Sequence, residues 1–317
     1  MQAESAAPVC VVVGPLCFLT VTIESDDQPQ RVHLHPGGQG FWIARMIQAL
    51  GATPVLVSPV GGEAGLGLTH LIPTWGVTFR GVQMSGASPT QVHDRSSEVR
   101  VELVAISEPA LDRHEQDDLY GAVLEAALSA DAAVITASIE GTVLPDHSYQ
   151  RLVADLRSRD VAVFGDLHGD ALRAALADDN ADELPSFDTL KVSEDDLIAD
   201  GWSIQSELDS IRAAQRLQQR TGGAVVVSRA GDPAIAAVDG RVVRVIPPEL
   251  SVVDHRGAGD SMTGAIVAGR VQGLDHLSAI RLGAAAGAGN VTRHGLGTGN
   301  PGLIDELVDL VAIEDVT

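Results

Sequence analysis

The chain has 317 residues, 43 acidic against 21 basic, for a formal net charge of −22, and 45% of it is hydrophobic. That charge repels a phosphate backbone, so nucleic acid is excluded as a partner, and the length holds one large α/β domain with a small appendage or two modest domains. Two cysteines, Cys10 and Cys17, make neither a disulfide framework nor a zinc spacing. The longest uncharged apolar run, Val9 to Ile23, is interrupted at Gly14-Pro15 and falls short of the ~20 residues of a membrane helix. No membrane segment and no signal peptide are expected, and the reading is of a cytoplasmic protein.

Val9 to Val13 reads as a buried strand, followed by extended segments around Leu19 to Ile23 and Arg31 to His35 with a polar Asp-Asp-Gln-Pro turn between them. Gly40 to Leu50 has helical periodicity and ends at Gly51; a strand at Pro54 to Ser58, a helix near Leu66 to Trp75 and a strand near Val77 to Val82 follow. This is the βαβ rhythm of a parallel sheet. It breaks between Thr90 and Ile106, where polar and apolar residues alternate as in an exposed antiparallel hairpin. The rhythm returns with strands at Ala132 to Ala137, Val161 to Asp166, Thr189 to Val192 and Ala224 to Ser228, between helices at Glu115 to Ala130, Pro145 to Arg159 and Ser206 to Gln219. Asp178 to Pro185 reads as an acidic, solvated loop, Asp239-Gly240 as a hairpin turn, and three helices close the chain. The fold class expected is α/β: a three-layer αβα core with a mostly parallel sheet, plus a small sheet built from two excursions at about 15–36 and 88–107. Residues 1–317 would form one domain, and the small sheet, beside the carboxyl edge of the large one, would act as a lid.

The most informative stretch is Val252 to Ala265, VVDHRGAGDSMTGA. Two β-branched residues lead into a Gly-Ala-Gly turn, and Asp260 follows at the mouth of a helix of small residues. A helix start offers unpaired N–H groups and partial positive charge, and Gly257 and Gly259 let that backbone approach an anion closely. Asp260 would then set a carboxylate beside the anion site, placed to take a proton from a hydroxyl attacking a phosphoryl group. A plain turn capped by Asp260, with small residues for helix packing, explains the same residues without chemistry. A second glycine turn opens a helix near the start of the chain, in PGGQGFWIARMIQALGA, Pro36 to Ala52.

Together these two segments resemble the paired signatures of the ribokinase and phosphofructokinase-B family of carbohydrate kinases. Ser138 to Asp166, Asp188 to Leu197 and Ala224 to Gly240 resemble its central units in order, and Ala284 to Gly299 resembles the 1-phosphofructokinase and tagatose-6-phosphate kinase branch. The resemblance implies a kinase that moves the γ-phosphoryl of ATP to a hydroxyl of a sugar or sugar phosphate, with Mg²⁺ and a possible monovalent cation. A nucleoside or small-alcohol kinase, or a non-catalytic sugar- or nucleotide-binding protein on the same fold, are the alternatives. It further implies Asp260 as base, with Gly257, Ala258 and Gly259 as the anion cradle, and Gly37, Gly38, Gln39 and Arg95 on the substrate side. Lys191, Ser193, Ser228, Ala230, Gly231, Gly287 and Asn290 would serve the nucleotide, and Asp196 and Asp254 the metal ions. In that family the small sheet often pairs with that of another subunit, which implies a homodimer through the lid.

Several positions depart from the family pattern. Phe18 or Leu19 stands where an Asp usually contacts sugar hydroxyls, Gln39 replaces a phosphate-directed Lys, and Ser193 and Asp196 replace Asn and Glu. Arg256 precedes the Gly-Ala-Gly where a small or hydroxyl residue is usual, and would either reach a phosphate or point to solvent. Arg229 likewise replaces a small or neutral residue. His33, His35 and His168 have no third ligand at a metal spacing.

Overall fold

In the first strand, β1 (Val9–Val13), Val11 and Val13 enter one apolar cluster while Cys10 and Val12 enter another. A strand covered on both faces needs an apolar side chain at every position, which is why it reads as an unbroken run. The computed structural model describes residues 6–24, 31–96, 101–104, 108–138, 143–176, 187–292 and 299–316.

After β1 come β2 (Phe18–Glu24), β3 (Arg31–Gly37), α1 (Gln39–Ala49), β4 (Thr53–Val60), α2 (Gly62–Thr74) and β5 (Thr78–Gln83). Next are β6 (Thr90–Arg95), β7 (Val101–Val104), α3 (Arg113–Ala127), β8 (Ala132–Thr136), α4 (Asp146–Arg157), β9 (Ala162–Asp166) and α5 (Gly169–Leu176). The chain continues through β10 (Thr189–Ser193), α6 (Glu194–Ala199), α7 (Glu207–Thr221), β11 (Ala224–Arg229), β12 (Asp232–Val238) and β13 (Arg241–Ile246). It closes with α8 (Ala258–Val271), α9 (His276–Val291), α10 (Pro301–Val308) and β14 (Ala312–Asp315).

Ten strands form the large sheet in the order β14-β13-β12-β11-β10-β9-β8-β1-β4-β5. The run from β11 to β5 is parallel, and β12, β13 and β14 add an antiparallel edge. Residues of α3, α4, α5, α6 and α7 cover one face, and residues of α1, α2, α8, α9 and α10 the other. This is the expected three-layer arrangement. From β1 the chain builds outward through β4 to β5 on one side and through β8, β9 and β10 on the other. Such a reversal of strand order opens a crevice at the carboxyl ends of the strands, where ligands of open α/β sheets bind.

Four strands in the order β3-β2-β6-β7 make the small sheet. Its polarity is inverted. Thr20, Thr22 and His93, which share one face, are buried against the body, whereas Val32, Leu34 and Val104, paired through Ile23, Val21 and Val92 on the other face, are about half exposed.

The terminal strand β14 was not expected from the sequence; its four residues carry little pattern of their own and are held by pairing with the edge strand β13. The short helix α5 was likewise not assigned as a separate element. The expected acidic loop at Asp178 to Pro185 and the tip of the Thr90 to Ile106 hairpin lie outside the described residues. Among those described, no helix is long and apolar enough to cross a membrane.

Candidate active site

Two glycine turns start two helices at the same edge of the sheet. Gly38, the residue before α1, has φ +108°, and a Cβ there would fall 2.3 Å from the Leu16 carbonyl oxygen, so no other residue fits. Gly257, before α8, is left-handed at φ +74°. Neither helix start is capped by a side chain, so first-turn N–H groups stay available for a ligand. The helices then touch, with a Cβ at Gly264 falling 2.7 Å from the Ile43 carbonyl oxygen. Gly264 and Ile43 each lie within two turns of their helix start, so the two turns, about 220 residues apart in sequence, open side by side.

Asp260 is not the cap of α8; Gly257 holds that position. The Asp260 carboxylate receives no hydrogen bond from a described residue and faces a charged pair at the ends of two neighbouring strands. Lys191, near the end of β10, lies 3.2 Å from Asp166, the last residue of β9, and Thr263 of α8 donates to the other Asp166 oxygen at 2.6 Å. A Cβ on Gly259 would sit 2.9 Å from the Lys191 ammonium, which places that cation directly under the glycine turn. Burial, reinforced by the charge of Asp166 and opposed by Lys191, pushes the Asp260 carboxyl up to about 7. Burial alone would pull Lys191 down; Asp166 above all, with Asp260 behind it, holds it above the ordinary lysine value. The arrangement pairs a fixed cation with a carboxyl poised to exchange a proton near neutrality.

The sequence reading missed Asp166 and Thr263. A usable signal existed for the first: an acid ending an apolar strand stands at the carboxyl edge, level with Lys191 in the neighbouring strand.

Asp254 is 9% exposed and accepts from the backbone N–H of Arg256 at 3.1 Å, from its Nε at 2.9 Å and from its Nη2. Arg95 of the small sheet adds an ion pair at 3.5 Å to the same carboxylate. The sequence left Arg256 between a phosphate and solvent; the structure places it on Asp254 instead. Asn290 is 3% exposed, and its amide donates to the Arg256 carbonyl at 2.7 Å. A Cβ at Gly287 would meet the Ala258 carbonyl oxygen at 3.2 Å. Both residues, on α9, therefore contact the glycine turn directly.

On the other side of Lys191, Ser193 caps α6: its hydroxyl accepts from the Asp196 N–H at 3.0 Å and donates to the Asp196 carboxylate. Ser228 ends beside them, donating to the Val192 carbonyl at 3.4 Å. Arg229, whose side chain is 9% exposed, bonds Glu194 at 2.8 Å and Glu207 at 3.2 Å. Ala230 turns back at φ +45°, and with Gly231, Glu194, Asp195, Arg229 and Asp232 it lines a shallow pocket of about 220 Å³. At the first glycine turn Phe18 lays its ring over Gly37, and Gln39 is the first residue of α1.

A family model described as pfkB family carbohydrate kinase matches residues 10–303. The ATP-dependent 6-phosphofructokinase isozyme 2 of Mycobacterium tuberculosis is 27% identical over 280 residues, covering 87% of this chain and 80% of that protein. A 1-phosphofructokinase of Vibrio cholerae is 26% identical over 270 residues, covering 84% and 82%. Among solved structures, phosphofructokinase-2 from Escherichia coli in complex with potassium superposes with a TM-score of 0.81 at 22% identity over 96% of this chain and 99% of that one. The ribokinase of Arabidopsis thaliana, complexed with ribose and ATP, gives 0.69 at 19% identity over 95% and 99%. With a family match across nearly its whole length and the fold to go with it, this chain belongs to the pfkB family of carbohydrate kinases.

Proposed function

We propose that the enzyme transfers the γ-phosphoryl group of ATP to a hydroxyl of a sugar phosphate, with Asp260 as general base. The observation that carries this reading is Asp260 itself: a carboxylate without a hydrogen-bond partner among the described residues, pushed up to about 7, at the start of an uncapped helix and next to a buried lysine. An Asp260 carboxylate oxygen removes the proton from the acceptor hydroxyl as the oxygen of that hydroxyl bonds to the γ-phosphorus. The bond to the bridging oxygen breaks, and ADP leaves with those electrons. The N–H groups of Gly257, Ala258 and Gly259 meet the charge on the transferred group, with the Lys191 ammonium beneath them.

The nucleotide phosphates would lie along Lys191, Ser193, Ser228, Ala230 and Gly231, where a Cβ on Gly231 meets open space. Asp195 and Asp196 would hold a divalent ion there through carboxylate oxygens, and among the described residues no group of three His, Cys, Asp or Glu side chains stands ready to hold one alone. Such an ion, Mg²⁺ in this reading, would neutralise phosphate charge.

Gly37, Gly38, Gln39 and Arg95 would hold the acceptor. Arg95, whose side chain is 24% exposed, is the cation available for its phosphate, and the relatives named phosphofructokinases support a phosphorylated acceptor. The small sheet then serves as a lid that excludes water. Its solvent-facing row of Val32, Leu34 and Val104 fits a second copy of the same face, giving a homodimer through the lid. Coupled ADP release across sugar phosphates, free sugars and nucleosides tests the reading: turnover confined to sugar phosphates supports it, and none with any acceptor overturns it.

A further inference from the structure

The family resemblance puts a monovalent cation near Asp254, and the Escherichia coli phosphofructokinase-2 of the same fold is a potassium complex. In this chain the residues do not fit such an ion. A carboxylate offers about four lone-pair directions. Three are met by Arg256 and the remaining side faces Arg95: Oδ1 takes the backbone N–H and the Nε of Arg256, Oδ2 takes the Nη2 of Arg256, and the Nη2 of Arg95 stands 3.5 Å from Oδ2 as an ion pair. With Asp254 at 9% exposure, little water reaches it to compete.

A positive charge is needed here for a physical reason. Asp254 lies three residues before Gly257, whose N–H groups face the place where a phosphoryl anion would sit. An uncompensated carboxylate at that point would cost desolvation energy and oppose the anion. A guanidinium stays charged at every working pH and matches a carboxylate with two parallel bonds. Arg256 delivers one from two residues away, with its backbone fixed by Asn290.

We infer that Arg256 is a tethered replacement for the monovalent cation: its guanidinium supplies at Asp254 the single charge that a free K⁺ would supply, so this enzyme needs none. The place of the ion rests on the kinase reading above, yet the test below requires no turnover, so the two can fail separately. Arg256 acts on the glycine turn through Asp254 and is a positioning residue. When a substrate phosphate draws Arg95 away, Arg256 remains.

The test is thermal unfolding of the full chain in KCl and in tetramethylammonium chloride at equal ionic strength, for wild type, Arg256→Ser and Arg256→Lys. Wild type is expected to unfold at the same temperature in both salts, and Arg256→Lys to behave like it. Arg256→Ser, with Asp254 uncovered, is expected to gain a K⁺-dependent rise of about 2 °C at ten times the dissociation constant. Should the serine variant not fold, Arg256→Gln, which keeps the stem without the charge, carries the same expectation. A K⁺-specific rise in wild type overturns the inference, because the site would then already take the ion. A folded neutral variant with no K⁺ response overturns it as well, because Arg256 would then replace nothing.

Discussion

Replacing Asp260 by Asn should separate stability from catalysis in opposite directions. The carboxyl is lifted from 3.8 to about 7 by burial and by Asp166, against the pull of Lys191. At about 1.4 kcal/mol per pH unit the lift corresponds to about 4 kcal/mol, and because the side chain opens on a cleft about half of that is expected to survive, ~2 kcal/mol. The sign follows from proton counting. Between 3.8 and about 7 the native protein holds a proton that the unfolded chain releases, so wild type loses stability as pH rises through that window. Asn carries no such proton. Asp260→Asn should therefore melt about 3 °C above wild type near pH 8, and the gap should close toward pH 5. Turnover should fall by about 10²–10⁴, the usual contribution of a general base. Scanning calorimetry at both pH values, with coupled ADP release, reads both effects. Equal melting near pH 8, or a gap unchanged near pH 5, would refute the electrostatic account, and retained turnover would refute the base assignment.

The rate at limiting acceptor should rise tenfold per pH unit below about 7 and level above it, as Asp260 gives up its proton; a flat profile across that limb would remove Asp260 from the titrating step. Lys191→Met leaves the Asp166 carboxylate, 5% exposed, without its cation and should cost about 3–5 kcal/mol in urea unfolding. Because Lys191 lowers the Asp260 carboxyl, the same variant should move the kinetic limb to higher pH, and a limb that stays put would separate the two groups. Gly38→Ala forces a Cβ onto the Leu16 carbonyl at φ +108° and should cost about 2 kcal/mol or more, with loss of acceptor binding; an active variant of wild-type stability would place the turn elsewhere. Leu34→Glu combined with Val104→Glu should turn a dimer into a monomer in sedimentation, and an unchanged mass would show that the apolar face of the small sheet has another purpose.

The sequence by itself determined the layers, because the signals for them are local. Apolar runs such as Val9 to Val13 and Ala132 to Thr136 can be satisfied only between two helical layers, and the alternation after Thr90 only in a sheet with two unlike faces. It also picked out Asp260 and both glycine turns, since a left-handed backbone and an anion cradle both restrict which residues can stand there. Tertiary structure alone decided what those residues face. Asp166, Lys191 and Asp260 come from separate elements, 25 and 69 positions apart in sequence, and only the parallel register of β9 with β10 and the packing of α8 bring their charges together. Arg256 was ambiguous in the same way: an arginine in a loop carries no local mark of its partner, and its pairing with Asp254 follows from a turn whose carbonyl Asn290 holds from α9. Periodicity is written along the chain, whereas the field at a carboxylate is a sum over neighbours that only the folded backbone assembles.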